Sequence, residues 1–515
     1  MTFSELVSAY LNEGNDLLKN KIVDYLNTNN FSEEDWSSIT HLLFNPYSNT
    51  VSALAWLALI ANSHQDEELA KSLNLNPGQF SELFQSRLRK ASFPVVDQQS
   101  NGVLAEVLIF PFSSTESRAI CFNKIYAEQA NILAQLTRRS FLMVFTEDFV
   151  GDSWMAATAA ALIADNPDEL SDFCFTGAVN ESGKIMPPAQ LTEKKQCCEA
   201  HGKKLITSVK SLEELEFWLN SSELPVPVVQ SSRTPDKKSS WLLKMEAAIQ
   251  KEYPLFNLQA LFEFTGLNED DLSIFKEGDF PFIPEVWQTF LGSIDHFDRV
   301  EQKLSSRKAL FWYAGMLSSL QFGIGAIFGF NRPIYICHWE PTNQQYLPVF
   351  RLYRPNNARI LKNVSFDPHS FTHIKYEINA PSCQMKDLAL ILYFGSHNPY
   401  QEVISYFKPL FPDSGTLFIY LKESQGQINL DSDWLRIVQE TNSLLNYLKN
   451  SYHWQRLHIF QSSPNAICMA LGIALGHFTP ATIYHYQPQA EREHYKGMYD
   501  LEMVKNYRNQ FASQT

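Results

Sequence analysis

The chain has 515 residues, and a length prior of about 150 residues per domain predicts roughly three domains rather than one hydrophobic core. A net charge of −14 argues against wholesale binding of duplex nucleic acid or RNA, which usually requires a basic domain. The seven cysteines form no C-x-x-C pair, so they favour buried thiols in a reducing cytoplasm over a zinc or redox site.

Residues 1–92 are predicted to be helical. Apolar side chains recur at helical spacing from Leu6 to Tyr25, and VSALAWLALIA is typical of a short buried helix. The first residues carry acids and no apolar stretch, which predicts that there is no signal peptide and that the protein is cytoplasmic.

From about residue 93, short strands and helices alternate. VLAEVLIFPF, SRAICFN and SFLMVFTEDF are typical of strands, and KIYAEQANILAQLTRR of a helix. The segment 225–240 is polar, charged and proline-bearing, which predicts a linker. Beyond it, aromatic strands alternate with helices to about residue 487, a pattern that predicts parallel sheets covered by helices. The fold class is therefore mixed α/β, with domains at 1–92, 93–230 and 241–515.

One uncharged stretch, 309–330, is long enough to cross a bilayer. It also contains Ser318, Ser319, Gln321 and four glycines and then continues into the strand-like PIYIC. We expect a buried helix and no membrane segment, while a membrane-tethered receptor is the alternative.

The first candidate for chemistry is Ser153. Gly151 and Asp152 form a turn that delivers Ser153 to the start of the alanine-rich helix WMAATAAALIA. The start of a helix offers unpaired N–H groups and a positive dipole end, which suit a developing oxyanion. The alternative is that Asp152 or Ser153 only caps the helix.

The second candidate is Lys194, in the first turns of the helix LTEKKQCCEAHGKK. A lysine can act as a base when burial lowers its pKa and leaves a neutral amine. The alternative is a lysine on a solvated helix face.

The segment 148–206 resembles the proteolytic domain of Lon proteases. The family's Gly-Pro-Ser-Ala-Gly block falls on residues 151–155, and its Thr-Gly-Glu strand falls on residues 176–178. The family's lysine block falls on Gly183, Ile185, Pro187, Leu191, Glu193 and Lys194. The resemblance covers about residues 100–220 and implies a serine endopeptidase with Ser153 as nucleophile and Lys194 as general base.

The chain also departs from that family. Asp152 replaces a proline, Pro188-Ala189-Gln190 replaces a residue and a glycine pair, and Trp154 replaces a small residue beside the nucleophile. A bulky Trp154 predicts a cleft that is narrowed or closed until something moves. The alternative is that the Lon-like domain is degenerate and only binds a partner.

The ATPase of Lon proteases is missing. Residues 177–184 have five residues between two glycines where a phosphate loop has four, and Ile185 occupies the place of the magnesium-binding Ser or Thr. We therefore expect no ATP, no metal and no other cofactor.

Two polar turns follow strands of the C-terminal half, at 394–398 after LALILY and at 461–465 after RLHIF. Ligands of parallel sheets bind at the carboxyl ends of strands, where such turns converge. The alternative is ordinary turn and helix-cap chemistry.

This half resembles the SAVED domain, a fusion of two CARF-like Rossmannoid units that senses cyclic oligonucleotides in bacterial anti-phage systems. The resemblance rests on the block HIFQSSPNAICMALGIALGHFTPATIYHY and on LILYFGSHN, with the first unit ending a strand at 337–339. The ligand-binding residues that it implies are Trp339, Gly395, Ser396, Gln461, Ser462, Ser463 and Pro464.

A Lon-like domain followed by a SAVED-like domain resembles the CRISPR-associated Lon proteases of type III systems. The resemblance implies an activator that is a cyclic oligoadenylate, which we expect to be cyclic tetra-adenylate. It also implies that the ligand drives a head-to-tail homo-oligomer, and that the protease then cuts a protein partner that restrains a sigma factor. The alternative function is a cyclic-nucleotide-binding scaffold whose Lon-like domain is degenerate and not catalytic.

Overall fold

The computed structural model describes residues 2–28, 30–64, 66–96, 102–233, 238–304, 306–352, 357–362, 365–423, 428–488 and 494–507. Its internal contacts divide the chain into two compact units. Unit 1 consists of Met1–Ser221 and Gln259–Phe264, and unit 2 consists of Ser222–Leu258 and Thr265–Thr515. All seven cysteines are free thiols, and five of them are buried.

Unit 1 begins with six helices, as the sequence predicts. Capping side chains define the starts of all of them except α3, and Thr2 and Asn76 each form a capping box with the residue three positions later. The helices are α1 Phe3–Glu13, α2 Asp16–Asn27, α3 Asp35–Leu43, α4 Asn49–Ala61, α5 Glu67–Ser72 and α6 Pro77–Gln85.

A six-stranded sheet follows, in the order β3-β4-β2-β1-β5-β8, with a separate two-stranded hairpin of β6 and β7. The strands are β1 Arg89–Val96, β2 Gly102–Phe112, β3 Ala119–Cys121, β4 Ser140–Phe145, β5 Phe173–Phe175, β6 Ala178–Val179, β7 Ile185–Met186 and β8 Lys204–Ile206. The accompanying helices are α7 Ala127–Thr137, α8 Trp154–Ile163, α9 Leu191–Ala200 and α10 Leu212–Asn220.

The N-terminal helices do not fold around a core of their own. Trp56 of α4 packs against Phe110 of β2 and Phe122, and the same cluster includes Leu142 and Val144 of β4. The helical region predicted at 1–92 therefore shares one hydrophobic core with the sheet, because α1–α6 cover apolar side chains on β2 and β4.

Unit 2 contains two sheets, in the orders β10-β9-β11-β12-β13 and β14-β16-β15-β17-β18-β19. The strands are β9 Glu223–Arg233, β10 Ser273–Glu277, β11 Lys308–Ala314, β12 Ile334–Glu340, β13 Gln345–Leu352, β14 Ile374–Asn379, β15 Gln384–Tyr393, β16 Gly415–Leu421, β17 His453–Ser462, β18 Ala481–Tyr486 and β19 Tyr495–Asp500. The helices from this part of the chain are α11 Lys238–Ile249, α12 Leu258–Thr265, α13 Glu269–Leu272, α14 Pro284–Gly292, α15 His296–Lys303, α16 Ser318–Phe328, α17 Tyr400–Leu410, α18 Trp434–Leu448 and α19 Asn465–Leu475.

The two sheets repeat one topology. In the first, β9 is parallel to β10 and β11, β11 is parallel to β12, and β13 is antiparallel to β12. In the second, β15 is parallel to β16 and β17, β17 is parallel to β18, and β19 is antiparallel to β18. The equivalent helices are α16, which connects β11 to β12, and α19, which connects β17 to β18. Parallel sheets are therefore observed as predicted, with antiparallel strands added at their edges.

The linker predicted at 225–240 is wrong over most of its described length. Residues 225–233 lie in β9, which pairs with β11 over 223–229 and with β10 from Val229 onward. The pairing of β10 with β9 begins at Val229, so β10 does not lie beside Pro225 and Pro227. On that side of β9, the missing N–H groups of the two prolines therefore cost the sheet no hydrogen bond. Residues 234–237 lie outside the described residues, and α11 begins at Lys238.

The stretch 309–330 is not one buried helix. It divides into the buried strand β11 and the helix α16, joined by a turn at 315–317. The absence of charge over this stretch led to the prediction of a single helix. A strand that is buried on both faces gives the same pattern, so the sequence did not distinguish the two. No helix among the described residues combines the length and the apolar character that crossing a membrane requires.

Candidate functional site

Ser153 lies immediately before α8, whose first residue is Trp154. Gly151 adopts φ +103°, a conformation that favours glycine, and so allows the sharp turn into the helix. The side chain of Ser153 makes no capping bond to α8. The capping role considered for Ser153 is therefore not the one it has here.

Lys194 lies in α9 and points into the interior, with 5% of its surface exposed. Its Nζ lies 2.7 Å from Ser153 Oγ and 3.3 Å from Thr176 Oγ1. Two residues that are 41 positions apart in the sequence therefore form one hydrogen-bonded pair. The solvated helix face that was the alternative for Lys194 is not observed.

Burial lowers the pKa of the Lys194 amine, because an ammonium ion loses its hydration in this environment. A Cys198 thiolate would oppose that effect by attracting the ammonium. The pKa of Cys198 is itself raised, by a hydrogen bond with Cys174 and then by burial, so its thiol stays neutral. The neutral amine that a general base requires is therefore favoured at Lys194.

The two residues that follow β5 contact both members of the pair. Thr176, the residue after β5, contacts the amine of Lys194 through its hydroxyl. The N–H of Gly177 donates to the carbonyl oxygen of Ser153 at 3.2 Å, and the N–H of Ala156 donates to the carbonyl oxygen of Gly177 at 3.1 Å. Gly177 has φ +142°, and a Cβ at this position would lie 2.8 Å from the carbonyl oxygen of Met186.

Trp154 does not narrow a cleft at Ser153, contrary to the expectation from sequence. Its side chain is fully buried and packs against Phe145 and Tyr126, at ring-centroid distances of 5.3 and 5.7 Å. The first residue of α8 faces the sheet, so the large ring fills the core beneath the helix.

The glycine-flanked segment 177–184 forms a hairpin turn between β6 and β7. The side-chain oxygen of Asn180 accepts hydrogen bonds from the N–H groups of Ser182 and Lys184. These N–H groups are satisfied within the turn, so the segment does not form a phosphate-binding loop.

Unit 2 contains a cavity of about 470 Å³ at the carboxyl ends of its strands and at the N-termini of α16 and α19. It draws on both repeats of the unit. Its lining residues are Leu317, Ser318, Ser319, His338, Phe394, Gly395, Ser396, Ile428, Gln461, Ser462, Ser463, Pro464, Asn465, His485 and Tyr486.

Burial keeps the two histidines of the cavity neutral. Desolvation lowers the pKa of His485 to about 4 and also lowers the pKa of His338. His485 Nδ1 lies 2.7 Å from the hydroxyl of Ser319, which ties β18 to α16. The cavity therefore presents hydroxyl, amide and imidazole groups and the N-termini of two 11-residue helices, without a lysine or arginine among its lining residues.

Ser463 is 9% exposed, and its hydroxyl has no hydrogen-bond partner. An unmade hydrogen bond of a buried hydroxyl costs about 1–3 kcal/mol, so such groups are uncommon without a reason. Ser463 lines this cavity, so its unpartnered hydroxyl makes it a candidate ligand contact. Leu317, which also lines the cavity, has φ +56°, a strained conformation for a bulky residue.

Of the seven ligand-site residues expected from sequence, the structure brings six to this cavity: Gly395, Ser396, Gln461, Ser462, Ser463 and Pro464. Trp339 is not among the lining residues. It packs against Trp241 and Tyr346, with Lys244 Nζ 4.7 Å above its ring. Successive side chains of a strand point to opposite faces, so His338 of β12 reaches the cavity and Trp339 does not.

Sequence reasoning missed the α16 side of the cavity, including Ser318 and Ser319. Reading 309–330 as one helix hid the turn 315–317, which is the counterpart of the turn at 462–464. A charge-free run that contains a central glycine and paired serines was the available signal. Among the described residues, no group of three or more side chains is arranged to hold a metal ion.

Three solved structures of Cap4 SAVED/CARF-domain containing receptors are similar to this chain at low scores. The Acinetobacter baumannii receptor with the cyclic trinucleotide 2'3'3'-cAAA is 15% identical, covering 53% of this chain and 51% of that one, with a TM-score of 0.32. The same receptor with 3'3'3'-cAAA is 14% identical, covering 42% and 44%, with a TM-score of 0.30. The Moraxella osloensis receptor is 13% identical, covering 42% of each chain, with a TM-score of 0.24. The chain thus spans about half the length of these receptors or less.

No curated protein matches this chain. One family profile does match, over residues 294–499, which run from the residues before α15 into β19. The matched family is described as the SMODS-associated and fused to various effectors sensor domain. Both helices that open onto the cavity, and the strand ends that line it, lie within the match. Residues 294–499 are therefore a SAVED domain.

Proposed function

We propose that this chain is a serine protease that a cyclic oligoadenylate activates, with unit 1 as the protease and the SAVED domain as the sensor. The observation that carries the proposal is the 2.7 Å separation of Lys194 Nζ and Ser153 Oγ, with the lysine buried and its pKa lowered. A SAVED domain is a sensor domain fused to effectors, and unit 1 is the part of this chain that would be the effector.

The reaction follows from the pair. The neutral amine of Lys194 takes the proton of the Ser153 hydroxyl while Oγ attacks the carbonyl carbon of a peptide bond. Lys194 then gives that proton to the departing amine as the carbon–nitrogen bond breaks, leaving an acyl group on Ser153. Water, deprotonated by the same amine, releases the acyl group. Ser153 directly precedes α8, so the positive dipole end of this helix would stabilise the oxyanion that forms at each tetrahedral stage.

The surroundings of the pair suit a polypeptide with apolar side chains. Val150, Met186 and Leu191 have 99%, 49% and 46% of their surfaces exposed. Val150 lies three residues before Ser153, and Leu191 lies one turn before Lys194 in α9. Met186 pairs with Ala178, the residue after Gly177. Exposed apolar side chains on three segments next to a nucleophile are typical of a substrate surface.

With no ATP-driven motor in the described part of the chain, the substrate is a folded partner that presents an exposed segment. The family resemblance suggests its identity, namely a protein that restrains a sigma factor. Such a role belongs to antiviral defence of the type III CRISPR kind.

The ligand of the sensor would be a ring of linked adenylates, and we favour cyclic tetra-adenylate. Hydroxyl, amide and backbone donors at two helix N-termini suit phosphodiesters, and Tyr486 supplies an aromatic ring to the cavity lining for contact with an adenine. A cavity of about 470 Å³ is of the size that accepts one drug-sized ligand. A ring of several nucleotides is larger, so part of it stays outside the cavity.

A second copy of the SAVED domain would cover that exposed part. The same helices α16 and α19 end at another cavity, of about 810 Å³, lined by Phe328, Gly329, Gly476 and Phe478 among others. Phe478 is 83% exposed there. One end of the helix pair therefore carries the N-terminal, positive dipole ends and the other end carries the C-terminal ones. Contact between unlike ends is heterologous and extends head to tail.

The test measures mass by light scattering and cleavage of the products of neighbouring genes, with cyclic tri-, tetra- and hexa-adenylate. We expect one ring to raise the mass and to start cleavage that Ser153→Ala abolishes. Assembly without any cleavage would instead support the scaffold function, in which unit 1 only binds a partner. No change in mass and no cleavage with any ring would overturn the proposal.

A further inference from the structure

Helix α12 has an unusual place in the chain. Residues Gln259–Phe264 belong to unit 1, although Leu258 before them and Thr265 after them belong to unit 2. Six residues of unit 1 are thus joined at both ends to unit 2 by peptide bonds. Any rearrangement of the flanking chain acts on this helix directly.

Glu263 of α12 is held by four hydrogen bonds to two adjacent residues. The N–H groups of Thr207 and Ser208 donate to its carboxylate at 2.9 and 3.1 Å, and their hydroxyls donate at 3.0 and 2.8 Å. Thr207 and Ser208 directly follow β8, which ends at Ile206. Hydrogen bonds to a charged acceptor are about twice as strong as neutral ones, so this set fixes α12 to the end of β8.

The next residue, Phe264, packs against β5. Its ring lies 5.5 Å from the ring of Phe173 and 6.5 Å from that of Phe175, and it is stacked on Trp218 at 5.8 Å with an interplanar angle of 9°. Phe264 is 6% exposed, and Phe175 and Trp218 are buried more completely. Tightly packed rings transmit small displacements rather than absorb them.

The segments that α12 contacts, β5 and the end of β8, are connected to the serine–lysine pair. Strand β8 is paired with β5 over its whole length, from Phe173↔Lys204 to Phe175↔Ile206. Thr176, the residue after β5, contacts Lys194 Nζ, and Gly177 exchanges backbone hydrogen bonds with the Ser153 turn and α8. The contacts that orient the nucleophile and its base are therefore made by the two residues that directly follow β5, the strand against which α12 packs.

We propose that α12 is the regulatory element through which the sensor controls the protease, and that Glu263 is its positioning residue. Ligand-driven change in unit 2 moves or steadies α12, and α12 sets the end of β5 and with it the Ser153–Lys194 geometry. The inference rests on the proposed function, because it concerns regulation of the same site. A shift of about 1 Å in such a site changes the rate on the order of 100-fold.

The experiment compares full-length wild type with Glu263→Gln, in which the carboxylate is replaced by an amide whose NH₂ group faces hydrogen-bond donors. The activator probes are the three adenylate rings, and hydrogen exchange is followed in peptides that contain residues 173–177. We expect Glu263→Gln to lower the activator-stimulated kcat at least tenfold while KM and ring binding stay unchanged. The control is Gln259→Ala on the exposed face of the same helix, which should behave as wild type.

If Glu263 served fold stability alone, the effect of the activator on hydrogen exchange at residues 173–177 would not depend on Glu263. We expect the activator to change exchange at residues 173–177 in wild type and not in Glu263→Gln. Thr207→Val, which removes one donor and keeps the backbone bond, should give an intermediate loss and covers the case in which Glu263→Gln does not fold. Full stimulation and an activator-dependent exchange change in both variants would overturn the inference. The wild type could also show an activator-dependent exchange change that Glu263→Gln abolishes, and yet cleave no substrate. That result would support the coupling through α12 and would overturn the proposed protease function.

Discussion

Gly325 of α16 and Gly472 of α19 meet where the two helices cross in unit 2. A Cβ on Gly325 would lie 2.3 Å from the carbonyl oxygen of Met469 and 3.1 Å from the carbonyl carbon of Gly472. A Cβ on Gly472 would lie 2.3 Å from the carbonyl oxygen of Phe322. These contacts are with backbone, which cannot move aside as a side chain can. The close crossing is what brings both helix N-termini to one cavity.

We therefore expect Gly472→Ala to destabilise unit 2 by at least about 1–3 kcal/mol, the usual cost of overpacking, and to abolish ring binding. Gly278→Ala is the comparison, because no heavy atom lies within 4 Å of its Cβ position and only backbone strain at φ +72° opposes it. Thermal melting and ring binding by calorimetry are the measurements, and only Gly472→Ala should abolish ring binding. Retained ring binding in Gly472→Ala would contradict the close crossing.

Ser153→Ala and Lys194→Met should each abolish cleavage and leave ring binding at the wild-type level. The reason is that either change removes one partner of the 2.7 Å contact on which the reaction depends. Lys195→Ala is the matched control, because this neighbouring lysine is largely exposed and pairs with Glu199 on the surface. Loss of cleavage in the control, or retention in either dyad variant, would exclude the assigned pair.

Cleavage should rise with pH and level off once Lys194 has lost its proton, because only the neutral amine accepts the proton of Ser153. Burial lowers the pKa of Lys194, so the rise should end below the pH at which an exposed lysine titrates. The measurement is kcat against pH under ring-saturated conditions, with circular dichroism to verify folding. A rate that falls across neutral to mildly alkaline pH in the folded protein would be inconsistent with a lysine base.

Thr176→Val should separate orientation from protonation. The Thr176 hydroxyl lies 3.3 Å from Lys194 Nζ and stabilises the ammonium form, so its loss should lower the pKa of Lys194 further. The pH profile should then move to lower pH while the plateau kcat falls about tenfold, since the amine loses one of its two orienting contacts. Thr176→Ser keeps the hydroxyl and should restore both the midpoint and most of the rate.

Ser463→Ala should have opposite effects on stability and on ring binding. A buried hydroxyl without a partner lowers the free energy of unfolding by about 1–3 kcal/mol, so its removal should raise the melting temperature. The same change should weaken ring binding about tenfold, because the ligand loses a donor. Trp339→Phe, whose side chain lies away from the cavity, should leave the affinity unchanged. A lower melting temperature for Ser463→Ala would show that the hydroxyl has a partner within the protein.

The sequence by itself determined the local elements and the chemistry-bearing residues. Helical spacing of apolar residues predicted that residues 1–92 are helical, and the glycine turn and the Lon-like lysine block made Ser153 and Lys194 candidates before any distance was known. Turn residues at 395–396 and 461–464 identified most of one wall of the SAVED cavity. These features depend on residues close together in the chain, so their signals are local.

Only the tertiary structure decided the rest. It turned the Trp154 side chain into the core, placed His338 rather than Trp339 at the cavity, and made residues 225–233 a strand. It also brought Thr176 to Lys194, α16 to α19, and α12 to β5 and β8. Each of these outcomes depends on which face of an element is buried and on which distant segment covers it. A window of sequence contains the apolar and polar pattern of an element but not the partner that the pattern will meet.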